Sequence, residues 1–187
     1  MTTIPTPRTS SAFAAVALAA GAVVAVVLGV YGSTHEPTGR AISTFGFGSM
    51  IAMKFWLASA AGVLALGQLV GALAMYGKLG VHPPPWLGTA HRAFGVVTLL
   101  LTVPVAYHCL WSLGFQTYDA RTLLHSLAGC LVYGALATKV LVLHGRDTPG
   151  WMLPLAGGLL FTVLVVTVLS SAGWYVTEVG LPTGNGY

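Results

Sequence analysis

Four histidines in the central part of the chain could bind a haem or a metal ion. His91 and His108 occupy one apolar segment, and His125 and His144 occupy the next. A helical hairpin that turns between residues 114 and 120 would bring His108 level with His125. The same turn would place His91 nearly level with His144. Ionisable side chains inside a lipid bilayer are costly and usually face the interior of a helix bundle, where they serve function. The spacing therefore predicts a membrane cytochrome.

Glycines near these histidines leave the space that a flat macrocycle requires. His108 and His125 could each present one imidazole to a shared iron at about 2 Å. Gly129 follows His125 by four residues, and Gly95 follows His91 by the same step. Residues four apart lie on the same face of a helix. Because glycine has no side chain, each glycine leaves free space on the helix face beside its histidine.

Two arginines are placed to bind haem propionates. Arg121 precedes His125 by four residues, and Arg92 directly follows His91. A guanidinium group forms paired hydrogen bonds with a carboxylate, which makes arginine a suitable partner for a propionate.

The predicted cofactor is haem b, with one or two groups per chain. His108 and His125 form the main predicted site, and they are also the predicted ligands if a bare copper or iron ion is bound instead. His91 and His144 form a weaker second site, because His144 stands at the end of its helix beside Gly145.

The elements that must position these residues are membrane helices. The chain has 187 residues, of which 56% are hydrophobic and only 6% are charged, whereas ordinary soluble domains have about 25% charged residues. Five apolar segments reach the roughly 20 residues needed to cross a bilayer. They cover residues 12–31, 53–76, 93–113, 123–143 and 153–174. We therefore predict an all-α, polytopic membrane helical bundle with five transmembrane helices, preceded by a disordered leader (1–11) and followed by a short tail (176–187).

The distribution of basic residues predicts the orientation of the bundle. With the N-terminus inside, the cytoplasmic side would hold five basic residues, Arg8, Lys78, Arg92, Lys139 and Arg146, and the outer side would hold three, Arg40, Lys54 and Arg121. Cytoplasmic loops of membrane proteins carry the excess of Lys and Arg. We therefore expect a multi-pass protein of the cell membrane with a cytoplasmic N-terminus. The net charge of +4 is a topology signal rather than evidence of nucleic-acid binding.

The remaining polar and small residues of the helices have structural interpretations. Cys109 and Cys130 are expected to be small buried hydrophobic residues, and no Cys-x-x-Cys-His motif for covalent haem attachment occurs. Gly67 and Gly71 form a Gly-x-x-x-Gly face that allows a second helix to approach closely, and Gln68 beside them is expected to hydrogen-bond to another helix.

Several of these motifs resemble a known family. The chain resembles a family of uncharacterised five-helix membrane proteins from actinobacteria in His-Arg-Ala-Phe-Gly (91–95), Pro-Val-Ala-Tyr-His-Cys (104–109), His-Ser-Leu-Ala-Gly-Cys (125–130) and Lys-Val-Leu (139–141). This resemblance covers most of residues 50–175 and implies the five-helix architecture without an established activity. More loosely, His-Arg-x-x-Gly and His-x-x-x-Gly look like motifs of the ferric-reductase-like and ascorbate-dependent cytochrome b families. Those families usually place histidines on more than two helices, whereas helices two and five of this chain have none.

Three functions remain open from the sequence. The first is a b-type haem protein that transfers electrons within or across the bilayer, as a component of an oxidoreductase. Its expected partners are a membrane quinol, a separate redox protein and further copies or subunits in an oligomer. The second is a non-catalytic accessory or assembly subunit with hydrogen-bonded histidines. The third is a small proton-linked transporter in which His108 and His125 take up protons near neutral pH.

Overall fold

The computed structural model describes residues 9–145 and 148–182, and every regular element in these residues is helical. Two segments are π-helical. We call them π1, which continues the third helix, and π2, which joins the fifth helix to a short sixth one. The elements are α1 (Thr9–Thr34), α2 (Met50–Met75), α3 (Leu87–Tyr107), π1 (His108–Leu113), α4 (Ala120–His144), α5 (Met152–Val168), π2 (Leu169–Gly173) and α6 (Trp174–Glu178).

Five of these helical stretches are long and apolar enough to cross a membrane. They are Ala12–Thr34, Met50–Met75, Leu87–Leu113, Ala120–His144 and Met152–Glu178. The predicted all-α bundle with five transmembrane helices is confirmed, and the chain is a multi-pass membrane protein. Each helix extends beyond its predicted span on at least one side, since the apolar core of a span is shorter than the helix that contains it.

Some sequence predictions fall on residues outside the described part of the chain. Helix α1 begins at Thr9, inside the predicted leader, and residues 1–8 of that leader lie outside the described residues. So do residues 183–187 of the predicted tail, and Arg146 of the charge count.

We call the end of the bundle with residues 35–49 and 114–119 the predicted outer end.

The order of packing separates two helices that are adjacent in the chain. Helix α3 packs on α2, α2 also contacts α5, α5 packs on α4, and α4 packs on α1. Helices α3 and α4 have no comparable contact with each other. The hairpin that they form is therefore splayed, and the space between its arms is a potential site.

Small residues hold the bundle together, as is usual where lipid removes the hydrophobic driving force between helices. Ala65 of α2 and Ala135 of α4 belong to a central cluster. The tightest approach joins α1 to α4, because a Cβ atom added at Gly134 would lie 2.6 Å from the backbone oxygen of Gly21. At the predicted Gly-x-x-x-Gly face, Gly71 packs against α3, whereas no atom lies within 4 Å of the Cβ position of Gly67.

The loop at the predicted outer end satisfies the last backbone groups of π1. The backbone N–H of Gly39 donates to the oxygen of Ser112 at 2.9 Å. The hydroxyl of Ser112 donates to the oxygen of Arg40 at 2.7 Å, and this serine is fully buried. Terminal helix carbonyls need such partners when they are buried, so the loop fixes π1 in place.

Candidate functional site

A partly enclosed cavity of about 420 Å³ lies in the predicted outer half of the bundle. Helices α2, α3, α4 and α5 contribute its walls, together with π1 and π2. The splayed hairpin creates this space, and its volume is within the range of small-molecule and cofactor pockets. Single π-helical turns inside α-helices often mark functional sites, and both π-helical segments of this chain border the cavity.

The residues that face the cavity follow regular helical stripes. On the third helix, Thr102, Ala106, Cys109 and Leu113 line the cavity at spacings of four, three and four. On the fourth helix, the stripe consists of Thr122, His125, Gly129 and Val132. Such spacings keep side chains on one face of a helix. The stripes therefore place Cys109 and His125 on facing walls.

His125 is oriented by hydrogen bonds from α5. Its Nδ1 lies 3.2 Å from the backbone oxygen of Thr167 and 3.3 Å from the hydroxyl oxygen of Ser170. A carbonyl oxygen only accepts hydrogen bonds, so this contact assigns the proton to Nδ1. The Nε2 atom is then the unprotonated nitrogen that can bind a metal.

Gly129 leaves open space beside His125. No atom lies within 4 Å of the Cβ position of this glycine, and the glycine lines the cavity. The corresponding space beside His91 is filled. The side-chain oxygen of Gln68 lies 3.4 Å from the Cβ position of Gly95, so α2 occupies the patch that the sequence predicted to be free for a second macrocycle.

Two basic side chains line the cavity, and no Asp or Glu does so among the described residues. They are Lys54 of α2 and Arg121 of α4. Arg121 donates to the backbone oxygen of Ser170 at 2.8 Å, and its guanidinium carbon lies 3.9 Å from the ring centre of Trp174. It is also 3.7 Å from a carboxylate oxygen of Asp119. The cavity therefore has a positive, hydrogen-bonded rim above a mostly apolar interior.

Cys109 is a polar group of the cavity that the sequence interpretation assigned to packing. It lines the cavity together with His125 and Lys54. Cys130 lines the same cavity, and both cysteines are free thiols. Within residues 9–145 and 148–182, no three His, Cys, Asp or Glu side chains are grouped closely enough to hold a metal ion.

His108 lies outside the group of residues that line this cavity. Its side chain is only 2% exposed, and its Nδ1 lies 2.7 Å from the backbone oxygen of Pro104. Its Nε2 is buried and has no hydrogen-bond partner in the described part of the chain. His108 precedes Cys109 by one residue and is therefore rotated by about 100° from the cavity stripe. The structure does not bring His108 and His125 together around the cavity, and their pairing stays a prediction.

The predicted inner residues lie in three different environments. His91 borders a groove between α2 and α3, and its Nδ1 is buried without a hydrogen-bond partner among the described residues. His144 is exposed, with its Nδ1 at 2.8 Å from the oxygen of Val140. Arg92 is exposed and donates to the hydroxyl of Thr89 at 3.3 Å. The groove beside His91 is lined by residues of α2 and α3 and by Trp86, and the pairing of His91 with His144 stays a prediction.

The fold and its cavity define a class of protein: a five-helix membrane protein with an imidazole, thiols and two basic side chains in an internal cavity. The chain belongs to the family described as "Family of unknown function (DUF6529)", whose model matches residues 14–183. This agrees with the predicted membership of an uncharacterised family. No curated protein and no solved structure matches the chain.

Proposed function

We propose that this protein is an integral membrane b-type haem protein with one haem in the cavity, held by His125, and that it transfers electrons within or across the bilayer. The observation that carries the proposal is the orientation of His125. Histidines that bind metals commonly donate their second ring N–H to a carbonyl or carboxylate, which fixes the tautomer and directs the free nitrogen. The hydrogen bond from Nδ1 to Thr167 at 3.2 Å is of this kind.

The rest of the cavity suits the shape and charge of a haem. Its interior is mainly apolar, and Gly129 leaves space on the same helix face as His125. Lys54 and Arg121 would neutralise the propionates, because carboxylates form strong charge-assisted hydrogen bonds with such groups. Haem would supply the one-electron chemistry, and the chain would supply the axial ligand, the orientation and the surrounding polarity.

The proposal concerns one site rather than two. Gln68 contacts the space beside Gly95, and His144 is exposed, so the proposed haem is confined to the cavity at His125. The looser resemblance to ferric-reductase-like and ascorbate-dependent cytochromes rests on the histidine and glycine motifs alone, because the family that matches has no assigned function. A membrane quinol as the donor and a separate redox protein as the acceptor remain the proposed partners.

A haem measurement on purified protein tests the proposal. The protein is produced in cells that are rich in haem, and its haem is quantified as the pyridine haemochrome together with a reduced-minus-oxidised spectrum. We expect a b-type spectrum with one haem per chain, and we expect His125→Ala to lose most of it.

His144→Ala is the matched control, because it removes an imidazole from the same helix at an exposed position. It should retain the haem. A colourless wild-type protein, or equal haem in the wild type and in His125→Ala, would reject the proposal and favour a non-catalytic accessory subunit.

A further inference from the structure

We propose that Ser170 is a positioning residue for His125, and that its hydroxyl group keeps the Nε2 atom of this histidine free to bind iron; this inference rests on the proposed function. Ser170 lies in π2, which packs on α4, and is only 8% exposed. Its hydroxyl oxygen is 3.3 Å from Nδ1 of His125. The two side chains are therefore in direct contact behind the wall of the cavity that His125 lines.

The direction of this hydrogen bond follows from the other contacts of Ser170. Its hydroxyl oxygen lies 2.7 Å from the backbone oxygen of Val166 and 3.2 Å from that of Thr167. A carbonyl oxygen only accepts hydrogen bonds, and a hydroxyl group has a single proton, so Ser170 donates to the nearer carbonyl, that of Val166. The lone pairs of the hydroxyl oxygen remain as acceptors, and His125 is the donor through its Nδ1–H.

The backbone oxygen of Thr167 would hold the imidazole less firmly by itself. This oxygen is 3.2 Å from Nδ1 of His125, and it also accepts from the hydroxyl of Ser171 at 2.7 Å. The bond from Ser171 is the shorter one, whereas 3.2 Å is at the long end of the usual range for an N–H donor. Ser170 supplies a second acceptor. With two acceptors facing Nδ1, the tautomer that leaves Nε2 unprotonated is favoured.

The π-helical turn gives Ser170 a second contact with α4. In a regular α-helix, the backbone N–H of Trp174 would donate to the oxygen of Ser170, four residues back. In π2 it donates to the oxygen of Leu169, and the oxygen of Ser170 accepts from Arg121 at 2.8 Å. Arg121 lies four residues before His125 on α4. Ser170 therefore fixes the proposed haem ligand and the proposed propionate partner relative to each other.

The reduction potential of the haem tests this role, because hydrogen bonding to the axial ligand is one of the means by which a protein sets that potential. An acceptor for Nδ1–H makes an iron-bound imidazole more basic, and a more basic ligand stabilises ferric iron. In a spectroelectrochemical titration of the purified protein in detergent, we therefore expect a higher midpoint potential for Ser170→Ala than for the wild type. Haem binding should also weaken about 10-fold, the lower end for such partners, because Thr167 still accepts.

Two further variants separate the hydrogen bond from a general effect on packing. Ser170→Cys nearly keeps the size of the side chain but replaces a good acceptor with a weak one, so it should raise the midpoint potential as Ser170→Ala does. Thr162→Val is the matched control. The Thr162 hydroxyl also donates to a backbone oxygen four residues back, that of Gly158, but it is exposed on α5. This variant should match the wild type in both measurements.

The outcomes separate this inference from the proposed function. Wild-type values in Ser170→Ala, or an equal rise of the potential in Thr162→Val, would overturn the role of Ser170, while haem binding by His125 would stand. A wild-type protein that binds no haem would overturn the proposed function and this inference with it. The haemochrome assay would show this before any potential is measured.

Discussion

The hydroxyl of Tyr133 donates a hydrogen bond to the hydroxyl of Thr102 at 3.2 Å and thereby joins α4 to α3. Both residues line the cavity. They lie farther along the helices from the predicted outer end than Cys109 and His125, so they form its floor. Helices α3 and α4 otherwise pack on different partners. This bond therefore fixes the separation of the two helices at the level of Thr102 and Tyr133.

Breaking this bond should destabilise the bundle modestly. We expect Tyr133→Phe to lower the free energy of unfolding by about 1 kcal/mol, the typical net value of a neutral hydrogen bond. Thr102 also donates to the oxygen of Leu99 at 2.8 Å, so Thr102→Val should cost more. A double-mutant cycle with both changes, followed by unfolding in detergent, should give a coupling energy of about 0.5 to 1.5 kcal/mol. A coupling energy near zero would show that the two hydroxyls do not interact.

The overall fold could be predicted because its signal is compositional. Inside a bilayer, the backbone N–H and C=O groups of a long apolar segment can find hydrogen-bond partners within the segment only if it is a helix. The five predicted helices are present. The order in which they pack could not be predicted. The sequence favoured close contact at Gly67 and Gly71, whereas a closer approach of two helix backbones joins Gly21 to Gly134. Glycine and alanine occur on many faces, and the sequence does not say which faces meet.

The candidate site could be predicted only in part. His125, Arg121 and Gly129, which the sequence singled out, all line the cavity. The prediction of His108 rested on the matched depth of the two histidines, and the sequence alone does not say which face of the third helix borders the cavity, where Cys109 lies. Lys54 was counted only as a basic residue of the outer side, because a lysine near the end of a membrane helix usually extends towards the surface.

The contact between α1 and α4 predicts a large difference between two similar substitutions. In Gly134→Ala, the new Cβ would lie 2.6 Å from the oxygen of Gly21 and 3.0 Å from the Cβ of Ala25. Overpacking of this kind costs about 1 to 3 kcal/mol, and we expect a lower melting temperature in detergent. Gly67→Ala adds the same methyl group where no atom lies within 4 Å, and it should be neutral or slightly stabilising. Equal melting temperatures for the two variants would contradict the tight contact.

The N-terminus of α4 predicts a pH dependence of stability. Asp119 accepts hydrogen bonds from the backbone N–H of Thr122 at 2.7 Å and from the Thr122 hydroxyl at 2.9 Å. These bonds, with the Arg121 guanidinium nearby, hold the pKa of the Asp119 carboxyl below its ordinary value. A folded-state pKa below the unfolded one stabilises the protein above about pH 4, and this contribution is lost as the pH falls through the folded-state pKa.

Asp119→Asn tests this dependence, because asparagine is also a good helix cap but does not titrate in this range. The melting temperature of the wild type should fall more steeply on acidification from about pH 5 to pH 3 than that of the variant. Parallel curves over this interval would show that Asp119 contributes nothing to the acid sensitivity.

The open space at Gly129 predicts that a substitution there can abolish haem binding without preventing folding. A leucine at this position would project into the cavity without meeting another atom near its Cβ, so Gly129→Leu should fold and yet exclude a macrocycle. Gly157→Leu is the matched control, since Gly157 also has no atom within 4 Å of its Cβ position and does not line the cavity. Both variants should melt near the wild-type temperature, while Gly129→Leu alone loses most of its haem in the haemochrome assay. If Gly129→Leu retained a full complement of haem, the haem would have to bind elsewhere, and the cavity would lose its proposed role even if the protein proved to be a cytochrome.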